Sequence, residues 1–253
     1  MTVKELYKFL DSRIPSALSC EWDNDGLMCC TEPNRAVKKV LVALDITDDV
    51  IDRAIEGGYD VIVSHHPLIF HPIKNITAGE SVPNRLIKLV KSGISAMSFH
   101  TRLDSLDGGV NDELAKCLGL NNIKPFGEDG MGRIGEIEDE MTAREFAEYV
   151  ASSLSACGVS YADGGRSVRK VAVLGGAGSD CIHEAAEAGA DAYVSGEFSH
   201  HNYIESKENG ITIVCAGHYY TENPVCEVVR RILLEADKNI EVDITESNCA
   251  EYI

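Results

Sequence analysis

Apolar and polar positions along this chain switch repeatedly between two periods. VKKVLVALD (Val37–Asp45) is a short apolar run that reads as a strand. DDVIDRAIEGG (Asp48–Gly58) spaces its apolar residues three and four apart, which predicts an amphipathic helix. A strand at DVIVS (Asp60–Ser64), a helix at NRLIKLVKSG (Asn84–Gly93) and a strand at ISAMSF (Ile94–Phe99) follow. After a turn at Asp107–Gly109, VNDELAKCLG predicts another helix. The N-terminal MTVKELYKFLDSR has a helical pattern that Thr2 and Glu5 would cap reciprocally, and TAREFAEYVASSL (Thr142–Leu154) has the same signature. Strands alternating with helices predict an α/β fold.

The pattern then returns. KVAVLGGAGSDCIHEAAEAGADAYVSGE (Lys170–Glu197) lies over KVLVALDITDDVIDRAIEGGYDVIVSHH (Lys39–His66) without a gap. The shared positions include polar ones: Asp49/Asp180, Gly58/Gly189, Asp60/Asp191 and Ser64/Ser195. With a one-residue slip, GISAMSFHTRLD (Gly93–Asp104) parallels GITIVCAGHYYTE (Gly210–Glu222). The expected architecture is therefore two related α/β halves from an internal duplication, 1–125 and 126–253. They part in the polar, Gly- and Pro-containing NNIKPFGEDGMG (Asn121–Gly132). In α/β sheets ligands gather beyond strand ends, so a metal site in the cleft between the halves is expected.

Charge and composition narrow the partners. A formal charge of −18 argues against a nucleic-acid backbone as partner, since phosphate contacts need clustered Lys and Arg. No apolar run approaches the roughly 18–20 residues of a membrane span. The first residues lack the basic start and continuous apolar core of a signal peptide. The expected location is cytoplasmic, which fits nine cysteines, an odd number with no C-x-x-C pair, kept as reduced thiols.

Seven of the eight histidines fall at or just beyond these strand ends: His65, His66, His71, His100, His200, His201 and His218. Together with Asp and Glu they offer the N/O donors suited to zinc, manganese or iron. His65 and His66 are adjacent, so on a regular strand they would point to opposite faces. At a strand end they can splay, one to each of two ions. His100–Asp104 and His218–Glu222 are candidates from the two halves, and Glu222 is suited to bridge two ions. Glu197 occupies the place of His66 in the second half, as a cleft carboxylate or a solvated turn residue. His71 reads as structural or exposed. Trp22–Asn24 reads either as a cleft wall or as a turn beneath the sheet. LGGAGSD (Leu174–Asp180) sits between strand and helix like a phosphate-cradling loop, but it lacks the Walker lysine and the G-x-G-x-x-G spacing, which favours a tight turn. Cys215, in an apolar strand near His218, reads as a packed thiol.

Five segments in order, EWDNDGLMC, SHHPLIF, FHTRLD followed by GGVNDELAKCLGL, SGEFSHH, and GHYYTE, resemble the NGG-interacting-factor-three-like proteins, the type-two GTP cyclohydrolase homologues. They span the chain from Trp22 to Glu222. The resemblance implies two divalent metal ions held by His65, His66, Asp104, His218 and Glu222. His100 is placed beside them as ligand or outer partner, and His201 lines the cleft. It also implies a homohexamer with the metal sites facing an inner cavity. Arg102 stands where asparagine is common, which bears on the polarity of the pocket. A longer branch of the family inserts a domain between the halves; only Asn121–Gly132 separates them here, as in the short form.

The leading functional expectation is metal-dependent hydrolysis of a small nucleotide-like or pterin-like substrate, with His100, His201 or Glu197 moving protons. The alternative is a metal carrier or insertion factor using the same donors without turnover. A third is a scaffold that its metals stabilise.

Overall fold

Thr2 begins the first helix in the way its spacing to Glu5 requires. Its hydroxyl accepts from the Glu5 N–H (3.3 Å), and the Glu5 carboxylate accepts from the Thr2 N–H (2.8 Å). In this computed structural model, which describes residues 1–251, helix α1 (Val3–Arg13) then buries Val3, Leu6 and Leu10. The chain continues through β1 (Gly26–Cys29), β2 (Lys39–Ala43), α2 (Asp48–Glu56), β3 (Val61–Ser64), α3 (Ser81–Ser92), β4 (Ser95–Ser98) and α4 (Thr101–Ser105). These strands lie in the order β1-β4-β3-β2. β2, β3 and β4 are parallel, and β1 closes the edge antiparallel. All four residues of β3 are buried, as expected of a central parallel strand covered on both faces.

A second sheet follows, with α5 (Val110–Cys117), β5 (Asn121–Phe126), β6 (Gly132–Met141), α6 (Ala143–Ser153), β7 (Ser160–Ala162), β8 (Val168–Leu174), α7 (Ile182–Glu187), β9 (Ala192–Ser195), α8 (His200–Glu208), β10 (Thr212–Cys215) and α9 (His218–Glu222). Its order is β5-β6-β8-β9-β10-β7. Its centre, β8-β9-β10 with β7 antiparallel at the edge, repeats the arrangement β2-β3-β4 with β1. The polar identities of the sequence repeat carry equivalent bonds. Asp60 accepts from the N–H groups of Lys38 (2.7 Å) and Lys39 (3.1 Å) at the start of β2. Asp191 does the same for Arg169 (3.2 Å) and Lys170 (2.8 Å) at β8.

Two boundaries differ from expectation. The chain does not divide between 125 and 126: one compact unit is Met1–Leu106 with Val225–Cys249, and the other is built on Asp107–Pro224. Asn121–Gly132 is no linker, since β5 pairs with β6 as an antiparallel hairpin. It reads as a linker because it is an exposed edge strand, where Pro125 is tolerated. No motif marks the return, in which α10 (Val225–Ala236) packs on α1 and β11 (Glu241–Ile244) pairs in parallel with β2, extending the first sheet. Among the described residues no helix is long and apolar enough to cross a membrane. None of the nine cysteines is in a disulfide, and burial pushes Cys226 up to about 12.

Buried Arg133 ties the second unit together at the β5–β6 turn. It donates to the carbonyls of Gly130 (2.8 Å) and Met131 (2.9 Å) and pairs with Asp112 at 2.8 Å. Burial alone would raise the Asp112 carboxyl, but bonds from Arg133 and the Gly108 N–H outweigh it and hold the group below the usual carboxylate range. A carboxyl depressed in the folded state stabilises above its unfolded pKa, and that stability fades as pH falls through the folded value. Asp112→Asn is therefore expected to lower stability to urea at pH 7, with the gap to wild type closing as pH falls below about 4.

Candidate metal centre

β3 ends at Ser64, so His65 and His66 lie beyond the pleat, and strict alternation of faces no longer binds them. His65 is 1% exposed. Its Nδ1 lies 3.1 Å from the Phe99 carbonyl, which can only accept, so Nδ1 carries the proton and Nε2 presents its lone pair. Nε2 is 3.7 Å from Asp104 Oδ1. His66 places Nδ1 2.8 Å from Asp45 Oδ1, at the loop after β2. His100, between β4 and α4, places Nδ1 2.9 Å from Asp23 Oδ1. One ligand atom from each of His65, His66 and His100 falls within 4.8 Å of the others. Three imidazoles, each with Nδ1 bound to an acceptor, leave Nε2 as the donor toward a cation.

Asp23 makes this possible. Its side chain is sealed from solvent and also accepts from Thr101, at N (3.1 Å) and Oγ1 (2.6 Å). Burial would raise its carboxyl, but the bonds from Thr101 and His100 prevail and hold it below the usual range. Trp22–Asn24 is thus a turn fastened beneath His100 by Asp23, and its Trp22 ring stays exposed. Arg102 does not set the polarity of this site. It is 2% exposed, and its guanidinium forks onto Asp25 (2.8 and 2.5 Å), reaches Asp11 (2.9 Å) and donates to the Ile14 carbonyl (3.0 Å).

In the second unit Gly217, at φ 88°, lets the chain turn from β10 into α9 with His218 at the first helical position. His218 Nδ1 lies 2.7 Å from Glu197 Oε1, and Nε2 lies 2.9 Å from Glu222 Oε2 one turn along. Glu222 is 5% exposed. Glu197 therefore grips His218 from outside, as Asp45 and Asp23 grip His66 and His100. The glycine loop after β8 serves as the seat of these ligands. A Cβ on Gly176 would stand 2.1 Å from Glu222 Oε1, and one on Gly196 would stand 2.7 Å from the His218 Cα. Three of the loop's N–H groups are already bound, Gly175 to Asn111 (2.8 Å), Gly176 to Thr221 (3.0 Å) and Gly178 to Ser195 (3.0 Å). With these glycine donors spent internally, the loop is the tight turn that its sequence favours.

Other expected residues are placed elsewhere. His201 is exposed on α8 and lines a polar groove of about 230 Å³ with Asp180, His183 and Glu205. His71 is exposed beside Phe70. Cys215 is a packed thiol on β10, donating to the Gly196 carbonyl at 3.1 Å. Ser64 bonds Ser98 (2.9 Å) and the His66 carbonyl (2.7 Å), shaping the strand end. Asp45 escaped the sequence reading, although its place at the end of a predicted parallel strand was the available signal.

Two outcomes follow from these grips. Asp23→Ala and Asp45→Ala are each expected to weaken zinc binding about 10–100-fold, read by competition with a chromophoric chelator. Gly176→Ala is expected to weaken it comparably by displacing Glu222, whereas Gly165→Ala, whose Cβ would meet open space, reports the strain of a positive φ alone.

The Duf34/NIF3 (NGG1p interacting factor 3) profile matches residues 1–251. A Clostridium acetobutylicum protein named "GTP cyclohydrolase 1 type 2 homolog" is 33% identical over 92% of this chain and 90% of its own length. A Methanocaldococcus jannaschii protein of the same name is 35% identical over 88% and 90%. Among solved structures, the Bacillus cereus protein related to NIF3 superposes with a TM-score of 0.88 at 26% identity, covering 100% of this chain and 99% of that one. Reduced HcgD from M. jannaschii gives 0.83 at 32% identity, covering 96% and 97%. With a profile match along nearly its whole length and relatives this similar across most of theirs, the chain belongs to the Duf34/NIF3 family.

Proposed function

We propose that this chain is a metal-dependent hydrolase of a small nucleotide-like or pterin-like substrate, with a dinuclear divalent-metal centre. The observation that carries the reading is the common set of the histidines. His65, His66, His100 and His218 each give Nδ1 to a protein acceptor, and Asp104 and Glu222 face Nε2 of His65 and His218. Donors of this type fit zinc, manganese or iron. His65, His66, His100 and Asp104 of the first unit would hold an ion, and His218 and Glu222 of the second offer donors of the same kind. Bound divalent ions supply Lewis acidity, polarising the bond under attack and easing ionisation of water near neutral pH.

The remaining work falls to the chain itself. Asp23, Asp45 and Glu197 orient the imidazoles and raise their basicity as donors. Because Glu197 grips His218, orientation is its role here in place of proton transfer. The names borne by the relatives support a nucleotide-like or pterin-like substrate.

Elemental analysis of freshly purified protein is expected to give about two metals per chain, as in two-metal sites, and Glu222→Ala to lose most of that content. The metal-loaded protein is expected to hydrolyse at least one member of a panel of nucleotides, pterins and cyclic amides. Full occupancy with no turnover, and ready transfer of one metal to an acceptor chelator, would instead identify a metal carrier.

A further inference from the structure

Trp22 is the only tryptophan of the chain, and it is 65% exposed. Phe70, in the loop between β3 and α3, is 41% exposed. The two rings meet edge-on, with centroids 6.1 Å apart at 73°. Both also stand edge-on to His100, at 6.2 Å and 77° for Trp22 and 5.9 Å and 85° for Phe70. Three rings so arranged make an open corner with uncovered aromatic faces next to a proposed metal ligand. The corner is braced. Asn24 donates to the Ile69 carbonyl, joining the loop of Trp22 to that of Phe70. Asp23, next to Trp22, is locked onto His100 and Thr101.

From Phe70 an open groove of about 730 Å³ runs past His71 and Lys74 to Arg85 on α3. That volume falls in the range of about 300–1,000 Å³ usual for small-molecule sites. In a chain of net charge −18 this groove reverses the local sign: Lys74 and Arg85 line it against Glu80 alone. Arg85 also leans on Asp48 at 3.4 Å, so Lys74 is the less committed cation.

We propose that this corner and groove form a binding subsite for a flat heteroaromatic ring bearing a phosphate, the chemistry of a nucleoside monophosphate. The ring stacks on Trp22 or Phe70 beside His100, and the phosphate lies toward Lys74 and Arg85. Aromatic faces take up bases by stacking, and the two cations match the anionic end. The proposal rests on the hydrolase reading only for placing the ring beside the metal ligands; binding itself needs no turnover.

Trp22 is its own reporter. Guanosine 5′-monophosphate, guanosine and inorganic phosphate are each titrated into the purified chain while Trp22 emission is read. Saturable quenching is expected from the nucleotide, weaker quenching from guanosine, and none from phosphate. By calorimetry, Phe70→Ala is expected to weaken nucleotide binding about tenfold, the loss of one stacking contact. Lys74→Gln is expected to weaken the nucleotide and leave guanosine unchanged. Glu222→Ala, stripped of metal, keeps nucleotide binding, so loss of the metal centre and loss of this subsite are told apart. Absence of saturable quenching at millimolar nucleotide overturns the proposal. So does Trp22 emission that responds to protein concentration and not to nucleotide, which makes the corner an interface between copies.

Discussion

The candidate donors of each unit depend on one constraint, applied four times: an acceptor beside Nδ1 holds a histidine ring in one orientation. The Phe99 carbonyl does this for His65, Asp45 for His66, Asp23 for His100 and Glu197 for His218. An imidazole free to rotate or to change tautomer would offer its lone pair in the wrong direction much of the time. The grip settles orientation before any ion arrives, which is what preorganisation means for a metal site. The surrounding polar structure follows from it. Thr101 anchors Asp23, and the bare Gly176 and Gly196 leave room for Glu222 and His218.

Buried charge away from the donors serves the scaffold. Arg102 stands in α4 two residues before Asp104, yet its charge is spent on Asp25 and Asp11. An unpaired buried guanidinium would be costly, whereas one met by two carboxylates and a carbonyl can fasten α1, the loop before β1 and α4 to each other. Arg133 does the comparable work at the β5–β6 turn with Asp112. Each unit thus has a buried arginine as a clasp, set apart from the histidines by its partners.

Much of the candidate site was legible in the sequence. A strand that ends in two histidines, and a His-x-x-x-acid segment after the third strand of each repeat, mark candidate strand-end sites, because parallel strands expose their carboxyl ends together. The outer carboxylates were less legible. Asp45 and Asp23 resemble ordinary turn residues until the fold brings them to His66 and His100, 21 and 77 positions away. Glu197 was visible only as the replacement for His66, and its task depended on where α9 sets His218. The glycine loop has the strand–glycine–helix pattern of phosphate loops, but its missing lysine and its spacing already favoured a tight turn, and the internal partners of Gly175, Gly176 and Gly178 agree with that reading.

By itself the sequence determined the α/β alternation, the repeated strand–helix–strand unit and its polar identities, for these follow from local periodicity and from short-range bonds such as Asp60 to the start of β2. Tertiary structure alone decided that the chain leaves its first unit at Leu106 and returns to it at Val225, since the pairing of β11 with β2 joins residues 202 positions apart in sequence, as in Glu241 with Lys39. It also decided which acceptor meets Nδ1 of His65, His66, His100 and His218 and turned Arg102 away from the donors. Hydrogen bonds between distant residues set both, and no local pattern encodes them.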